Sequence, residues 1–411
     1  MIVEVVAVGT ELLLGQIVNS NAAFIGSALA DHGHDAHFQQ VVGDNLERLS
    51  EALRVAMSRS DVVVVTGGIG PTQDDLTREA LCAVTGREML FSDEYAESLR
   101  QWWTRRGRRM PESNLRQAQY PEGAEMLPNP RGTAPGLALE HDGKTIFCLP
   151  GVPAEMGYLV ENEILPRLRE RSDQDSALVS RMLRSWGRSE SDVAETLADL
   201  YEATTNPSVA FLASGGEIKV RLTAKAESVE DAEGMLEPLE REVRARLGDA
   251  VFGADDETVE VVLFRLLEQR GWTLGVAESM TGGLISGRLT EHPGASAHFV
   301  GAVVPYDARL KGKLLGVSDV SKVVDEQTAM EMAQGVRRLL DVDVGLSITG
   351  SAGPEPMEKP PGTIVVGVAT PERVAARQLT MVGDRERIRT YGVTSALHLA
   401  RLALEGRWWR T

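Results

Sequence analysis

Short apolar runs alternate along the chain with stretches where apolar residues recur every three or four positions. Ile2 to Val8 is an apolar run of strand length. From Asn21 to His32, Phe24, Ile25, Ala28 and Leu29 fall on one helix face, and Gly33 is placed to end the helix. Leu46, Leu49, Leu53 and Met57 stripe a second helix, Val62 to Val65 reads as a fully buried strand, and Asp74 to Val84 as a helix closed by Gly86. Asp142-Gly143 marks a hairpin turn, and Pro153 opens a helix running through Leu165. Strands alternating with helices of this length predict a mostly parallel sheet covered on both faces.

The rhythm changes near residue 171. The polar stretch Glu170 to Ser176 reads as a linker. A strand (Leu178 to Ser185), a helix (Glu190 to Tyr201), two strands (Ser208 to Leu212, Glu217 to Ala226) and a charged helix (Val229 to Leu247) then form a small α+β module. From about residue 253 the α/β pattern returns. Helices are expected at Thr258 to Gln269, Thr281 to Leu289, Glu326 to Leu340 and Asp384 to Glu405. Strands are expected at Thr273 to Ala277, Phe299 to Val304, Val344 to Ile348, Thr363 to Ala369 and Ala375 to Met381. The expected architecture is α/β in three parts, 1–170, 171–252 and 253–411.

A length of 411 residues suits two or three cores, and 43% hydrophobic with 25% charged residues is the composition of a soluble globular protein. No apolar run reaches the ~20 residues that span a bilayer, and the first strand lacks the flanks of a signal peptide. Cys82 and Cys148 are too few for a disulfide framework, so a cytoplasmic protein is expected. A formal charge of −17 disfavours direct binding to nucleic acid or anionic membrane. Arg105, Arg106, Arg108 and Arg109, beside Trp102 and Trp103, read first as a solvated helix end, then as a contact for an anionic small ligand.

Thr-Gly-x-x-Gly-Pro occurs twice after an apolar run, at Thr66–Pro71 and Thr349–Pro354. Glycine lets a backbone turn tightly and aim its N–H groups at an anion, which suggests two phosphate-handling loops; two ordinary strand-to-loop turns are the alternative. After the first copy come Thr72, Asp74 and Asp75. They suit a helix N-cap with acids on the first turn, and equally a Mg²⁺-assisted phosphate site. Gly9-Thr10-Glu11, residues 129–136 and residues 149–156 share the same Gly/Pro-rich style, and in a parallel sheet such segments gather along the carboxyl edge.

In the last third, Ser279 lies between a buried strand and a helix start, as an N-cap or as a nucleophile whose oxyanion meets backbone N–H groups of the turn and helix end. His292, His298 and His398 have no motif that would activate it, and His32, His34 and His37 read as an exposed cluster elsewhere. Lys311 can serve as base if burial lowers its pKa.

The strings GTELLLGQIVNSN (9–21), TGGIGPTQDDLT (66–77), MPESNLRQA (110–118), NPRGTAPG (129–136) and LPGVPAEM (149–156) closely resemble the competence/damage-inducible protein CinA family. The resemblance implies an N-terminal molybdopterin-binding-like three-layer domain acting as a metal-dependent ADP-ribose pyrophosphatase. Gly68, Gly70, Thr72, Asn129 and Thr133 would line its nucleotide site, and Asp74, Asp75 and Glu155 would hold Mg²⁺ or a similar divalent metal. It also implies a KH-like middle domain, a homodimer, and a C-terminal nicotinamide mononucleotide (NMN) deamidase domain of the PncC type. That domain is carried by AESMTGGL (277–284), GASAHF (294–299), ITGSAGP (348–354), KPPGT (359–363) and GDRE (383–386).

By this resemblance Ser279 attacks the NMN carboxamide and Lys311 takes and returns the proton, without metal or cofactor. Ser296, Tyr306 and Thr349 support the dyad, Arg385 binds the substrate phosphate or carboxylate, and Thr281, Gly282 and Gly350 line the substrate. The chain departs from the family pattern at Met280, where cysteine is common, at Asp307 to Leu310, and at Glu355 to Glu358, where a glycine pair is usual. A pterin- or nucleotide-binding protein without turnover, or an adaptor in competence or DNA damage, is the alternative reading.

Overall fold

The valine run at 62–65 is buried on both faces, as a strand with no polar side requires. The computed structural model describes residues 1–171 and 177–408; the expected linker lies, from residue 172 on, outside them. The first strands are β1 (Ile2–Val8), β2 (Asp35–Val42), β3 (Val62–Thr66), β4 (Met89–Phe91), β5 (Gln119–Pro121), β6 (Glu125–Leu127), β7 (Gly136–His141) and β8 (Lys144–Leu149). Six of them form one sheet in the order β2-β1-β3-β8-β7-β6, while β4 and β5 form a separate ladder. Alternation along β3 sends Val63 and Val65 into one apolar layer with Leu49, Leu53 and Leu81, and Val62 and Val64 into another with Ile25, Leu29 and Leu159. Helices on both faces of a central sheet make the three layers that were expected.

The sheet is less parallel than its sequence rhythm predicts. β2, β1, β3 and β8 run parallel, but β7 pairs antiparallel with β8 and β6 antiparallel with β7. Asp142 and Gly143 make the predicted two-residue hairpin, both at positive φ (48° and 74°). β2 was not foreseen. The helix expected from Asp74 begins at Thr77, and the one opened by Pro153 passes through a π turn at Val160–Ile164 and continues to Arg171.

The middle module has β9 (Ala177–Ser185), β10 (Ser208–Ser214), β11 (Glu217–Ala226) and β12 (Val251–Ala254), in the order β10-β11-β9-β12. Its first predicted helix is two, Glu190–Thr196 and Ala198–Ala203. The last part has β13 (Leu274–Glu278), β14 (Phe299–Val303), β15 (Val344–Gly350), β16 (Thr363–Ala369) and β17 (Val374–Thr380), in the order β14-β13-β15-β16-β17. β14, β13 and β15 are parallel; β16 and β17 follow as antiparallel strands. The helix Glu326–Leu340 lies close on this sheet: a Cβ on Gly345 would come 2.0 Å from the Ala333 carbonyl oxygen.

By its contacts the chain divides into two units, Met1–Val179 with Lys225–Ala232, and Ser180–Ala224 with Glu233–Thr411. Most of the middle module thus belongs with the C-terminal part. Inside that second unit, His398 is fully buried, stacked on Trp186 at 4.8 Å and met edge-on by Phe252 at 4.5 Å. Its Nε2 lies 3.0 Å from the Glu217 carboxylate, and Arg401 Nε donates to Nδ1 at 3.4 Å. An acceptor role for Nδ1 puts the proton on Nε2, so a neutral ring satisfies both partners. Burial pushes the His398 pKa down to about 4, against the opposing pull of Glu217.

Candidate active sites

The first cleft forms where β1, β3 and β8 end side by side. It encloses about 410 Å³ and is lined by Gly9, Glu11, Asp44, Gly67 to Thr72 in part, Asp74, Asp75, Thr133 and Glu155. The loop after β3 needs glycine: Gly67 and Gly68 have φ of +100° and +69°, and a Cβ on Gly67 would sit 2.3 Å from the Val8 carbonyl oxygen. Asp75 shapes this loop, accepting from Gly70 N at 2.7 Å, Thr72 N at 2.8 Å and the Thr72 hydroxyl. Thr72 is therefore not a helix N-cap, and the two acids precede the helix instead of standing on its first turn. Behind the loop, the buried Arg78 guanidinium donates to the Ile69 and Gly70 carbonyls, and burial draws its pKa down to about 10.

Gly68, Gly70, Thr72, Asp74, Asp75, Thr133 and Glu155 all reach this cleft, as expected of them, whereas Asn129 does not line it. Asn129 holds Glu155 instead, its Nδ2 donating at 2.6 Å, while burial raises the Glu155 carboxyl above the ordinary range. Among the described residues no group of three or more His, Cys, Asp or Glu is arranged to hold a metal. Asp75 already spends both oxygens on the loop. This donor set fits a hard cation held by one or two carboxylates together with ligand phosphates, and does not fit an all-protein cage. Asp44 and Gln117 also line the cleft; Gln117 belongs to the 110–118 string and Asp44 to none of the quoted strings.

The second cleft, of about 440 Å³, lies at the carboxyl edge of the other sheet, between Ser279, Met280, Tyr306, Lys311, Thr349 and Arg385. Ser279 follows β13 in a turn and does not cap the next helix, Leu284–Thr290. That helix is capped by Glu278, a fully buried carboxylate that accepts from the amides of Gly283, Ile285 and Ser286 at 2.9–3.0 Å and from the Ser286 hydroxyl at 2.5 Å. The helix-terminal N–H groups are thus occupied. The amides of Met280 and Thr281 have no acceptor among the described residues, and of the two residues only Met280 lines the cleft.

Lys311 sits within the helix Ala308–Leu315 and is 2% exposed. Its Nζ donates to Thr349 Oγ1 at 3.0 Å and to the Val323 carbonyl at 3.4 Å, and Thr349 Oγ1 donates to that same carbonyl at 2.5 Å. Burial draws the Lys311 pKa down to about 8, with the Glu358 charge opposing. Ser279 and Lys311 share the cleft without a direct hydrogen bond. Tyr306 Oη accepts from Arg385 Nη2 at 3.1 Å, and Arg385 Nη1 donates to the Gly353 carbonyl at 2.7 Å.

Ser296 departs from its expected place. It is exposed on the turn Ala295–Ala297, which enters β14, and β14 runs parallel to β13, so Ser296 lies at the edge opposite Ser279. Thr281 is fully buried and Gly282 lies off the cleft wall, while Gly350 lines it. Gly350 is needed for close approach, because a Cβ there would meet Met280 Sδ at 2.6 Å; of this second loop's glycines only Gly353 has positive φ, +71°. The two Thr-Gly-x-x-Gly-Pro strings therefore fold differently. What they share is the threonine: Thr66 Oγ1 donates to Pro150 O and accepts from Asn21 Nδ2, as Thr349 donates to Val323 O and accepts from Lys311 Nζ.

Three family descriptions match consecutive stretches: "Probable molybdopterin binding domain" over 4–170, "Damage-inducible protein CinA KH domain" over 180–253 and "CinA C-terminal domain" over 256–404. A CinA-like protein of Frankia casuarinae is 46% identical over 98% of this chain and 96% of its own. The chain belongs to the CinA family. Another CinA-like protein, from Dictyoglomus turgidum, is 43% identical over 98% of both chains. Among solved structures, the CinA protein of Thermoplasma acidophilum matches 39% of this chain and 94% of its own, with 38% identity and a TM-score of 0.37.

In this CinA chain, reasoning from sequence missed Glu278, Arg389 and Glu358. Arg389 donates to the carbonyls of Met280 and Thr281 at 3.0 and 2.8 Å, fixing the turn that carries Ser279. It lies one helical turn beyond Arg385, and that spacing was the available signal. No helix among the described residues is long and apolar enough to cross a membrane.

Proposed function

We propose that this CinA-family chain is a hydrolase with two centres, an amidase at Ser279 and Lys311 and a pyrophosphatase in the N-terminal cleft. The observation that carries the first is a buried lysine, drawn toward neutrality, in one cleft with an uncapped serine at a strand end. With NMN bound, neutral Lys311 takes the Ser279 proton as Oγ bonds to the carboxamide carbon. The oxyanion meets the Met280 amide. Lys311 returns the proton to nitrogen, the C–N bond breaks and ammonia leaves. Water then splits the acyl ester to nicotinate mononucleotide and restores the Ser279 hydroxyl. Arg385, at the first turn of the helix Arg385–Leu404, takes the substrate phosphate.

In the N-terminal cleft the reading is ADP-ribose hydrolysis at the pyrophosphate. A divalent metal there would neutralise phosphate charge and polarise the reacting phosphorus. Asp74 and the Glu155 oxygen not bonded to Asn129 would hold it, while the Gly67–Thr72 loop orients the phosphates and Asp75 keeps that loop in shape. Asp75's commitment to the loop favours a second reading, in which this cleft binds nucleotide without turning it over.

Ammonia release from NMN and ADP-ribose cleavage, each measured with and without EDTA, test both centres together. Chelation should abolish the second and spare the first. Equal ammonia release by wild type and Ser279→Ala would remove the amidase reading. No ADP-ribose cleavage with Mg²⁺ restored would leave the binding reading.

A further inference from the structure

Glu358 lies in the loop between β15 and β16. Its exposed carboxylate accepts from Val323 N at 2.9 and 3.0 Å and from Val324 N at 3.1 Å. A trans peptide is planar, with its N–H and C=O pointing opposite ways. Gripping the Val324 N–H from outside therefore aims the Val323 carbonyl inward. That carbonyl is the acceptor shared by Lys311 Nζ and Thr349 Oγ1. Resting on the amidase reading above, we propose that Glu358 is a positioning residue, which sets the Lys311 amine and the Thr349 hydroxyl in place through the Val323 carbonyl.

The loop after β15 then does two things at once. Pro354, Glu355 and Met357 wall the cleft, and Glu358 fixes the carbonyl behind its base. Substrate contact with the wall and the placing of the proton acceptor are coupled within the five residues 354–358. The other ionisable groups lining the cleft are Tyr306, Glu355 and Arg385. Glu358 also acts on Lys311 by charge, favouring the ammonium form.

The test is Glu358→Ala and Glu358→Gln in the full chain, assayed for ammonia release from NMN across pH. Glu358→Ala should lower kcat on the order of 10- to 100-fold, more than it raises KM, because the base loses its placement. Glu358→Gln keeps an acceptor oxygen and should recover most of kcat. Having lost the negative charge, it should move the acidic limb of kcat/KM to lower pH, which a merely structural role would not do. Wild-type kcat in Glu358→Ala, or an unmoved limb in Glu358→Gln, would overturn the proposal. If the wild type itself releases no ammonia, the amidase reading fails separately. Lys311 is then followed by NMR of ¹³Cε-lysine, its signal assigned with Lys311→Met. A lower titration midpoint in Glu358→Gln supports the positioning contact and an unchanged one sinks it.

Discussion

A lysine that is 2% exposed and bonded to a threonine and a carbonyl cannot be read as an ordinary solvated amine. Its folded pKa of about 8 lies below the reference 10.5. Protonation therefore costs stability increasingly as pH falls from 10.5 toward 8, and the full penalty stands below 8. Two outcomes are expected of this one residue. Ammonia release per active site should rise about tenfold per pH unit below pH 8 and level off above it. Lys311→Met should lose amidase activity by at least about 100-fold while melting no lower than wild type at pH 7, because it removes a buried charge. A melt many degrees lower would mean the amine is needed for the fold. Ser279, Thr349 and Arg385 stand in recognisable strings, and so does Glu278, whose capping of the next helix the string does not reveal. Glu358 was not legible, since its partners are set by where another segment passes. Glu358 finds its amides 34 and 35 positions away.

Sequence periodicity located every strand of the last sheet but did not give its direction. One clue was present: Ala369 and Val374 are joined by only four residues, too few for a parallel crossover and enough for a hairpin. β2 escaped because residues 35–42, DAHFQQVV, alternate poorly, and pairing with β1 supplies what their own pattern lacks. The twin glycine strings teach the same lesson from the other side, since identical spacing folded into two backbone shapes. Glycine has another use at Gly345, where the helix Glu326–Leu340 comes within backbone contact of β15. Gly345→Ala should destabilise the protein by on the order of 2–4 kcal/mol, read as a lower midpoint in urea, because the Ala333 carbonyl belongs to a helix that cannot yield locally. A wild-type midpoint would show that the helix can shift.

At the scale of the whole chain, three family domains are distributed over two contact units, and the buried His398–Glu217 pair lies where the middle and C-terminal domains meet within one of them. Burial pushes the Glu217 carboxyl up, but the His398 ring and the Arg184 and Arg288 charges hold it net below the ordinary range. The His398 pKa, about 4 folded against 6.5 unfolded, makes the sign plain. Stability present above pH 6.5 is lost as pH falls through 4, on the order of 2–3 kcal/mol. Acid unfolding followed by tryptophan fluorescence should show this loss, and His398→Gln should flatten it. An equally steep acid limb in that variant would assign the loss to other groups.

The same contact bears on whether the C-terminal domain could ever have become a separate gene product. A fragment starting at residue 256 would keep His398 and Arg401 but leave behind Trp186, Glu217 and Phe252, stripping a neutral histidine of its stack and its acceptor. Gene fission at that boundary would demand a new residue at 398 from the outset. Position 398, in the helix that begins at Arg385, is where descent as a fused or a free-standing chain should leave its mark.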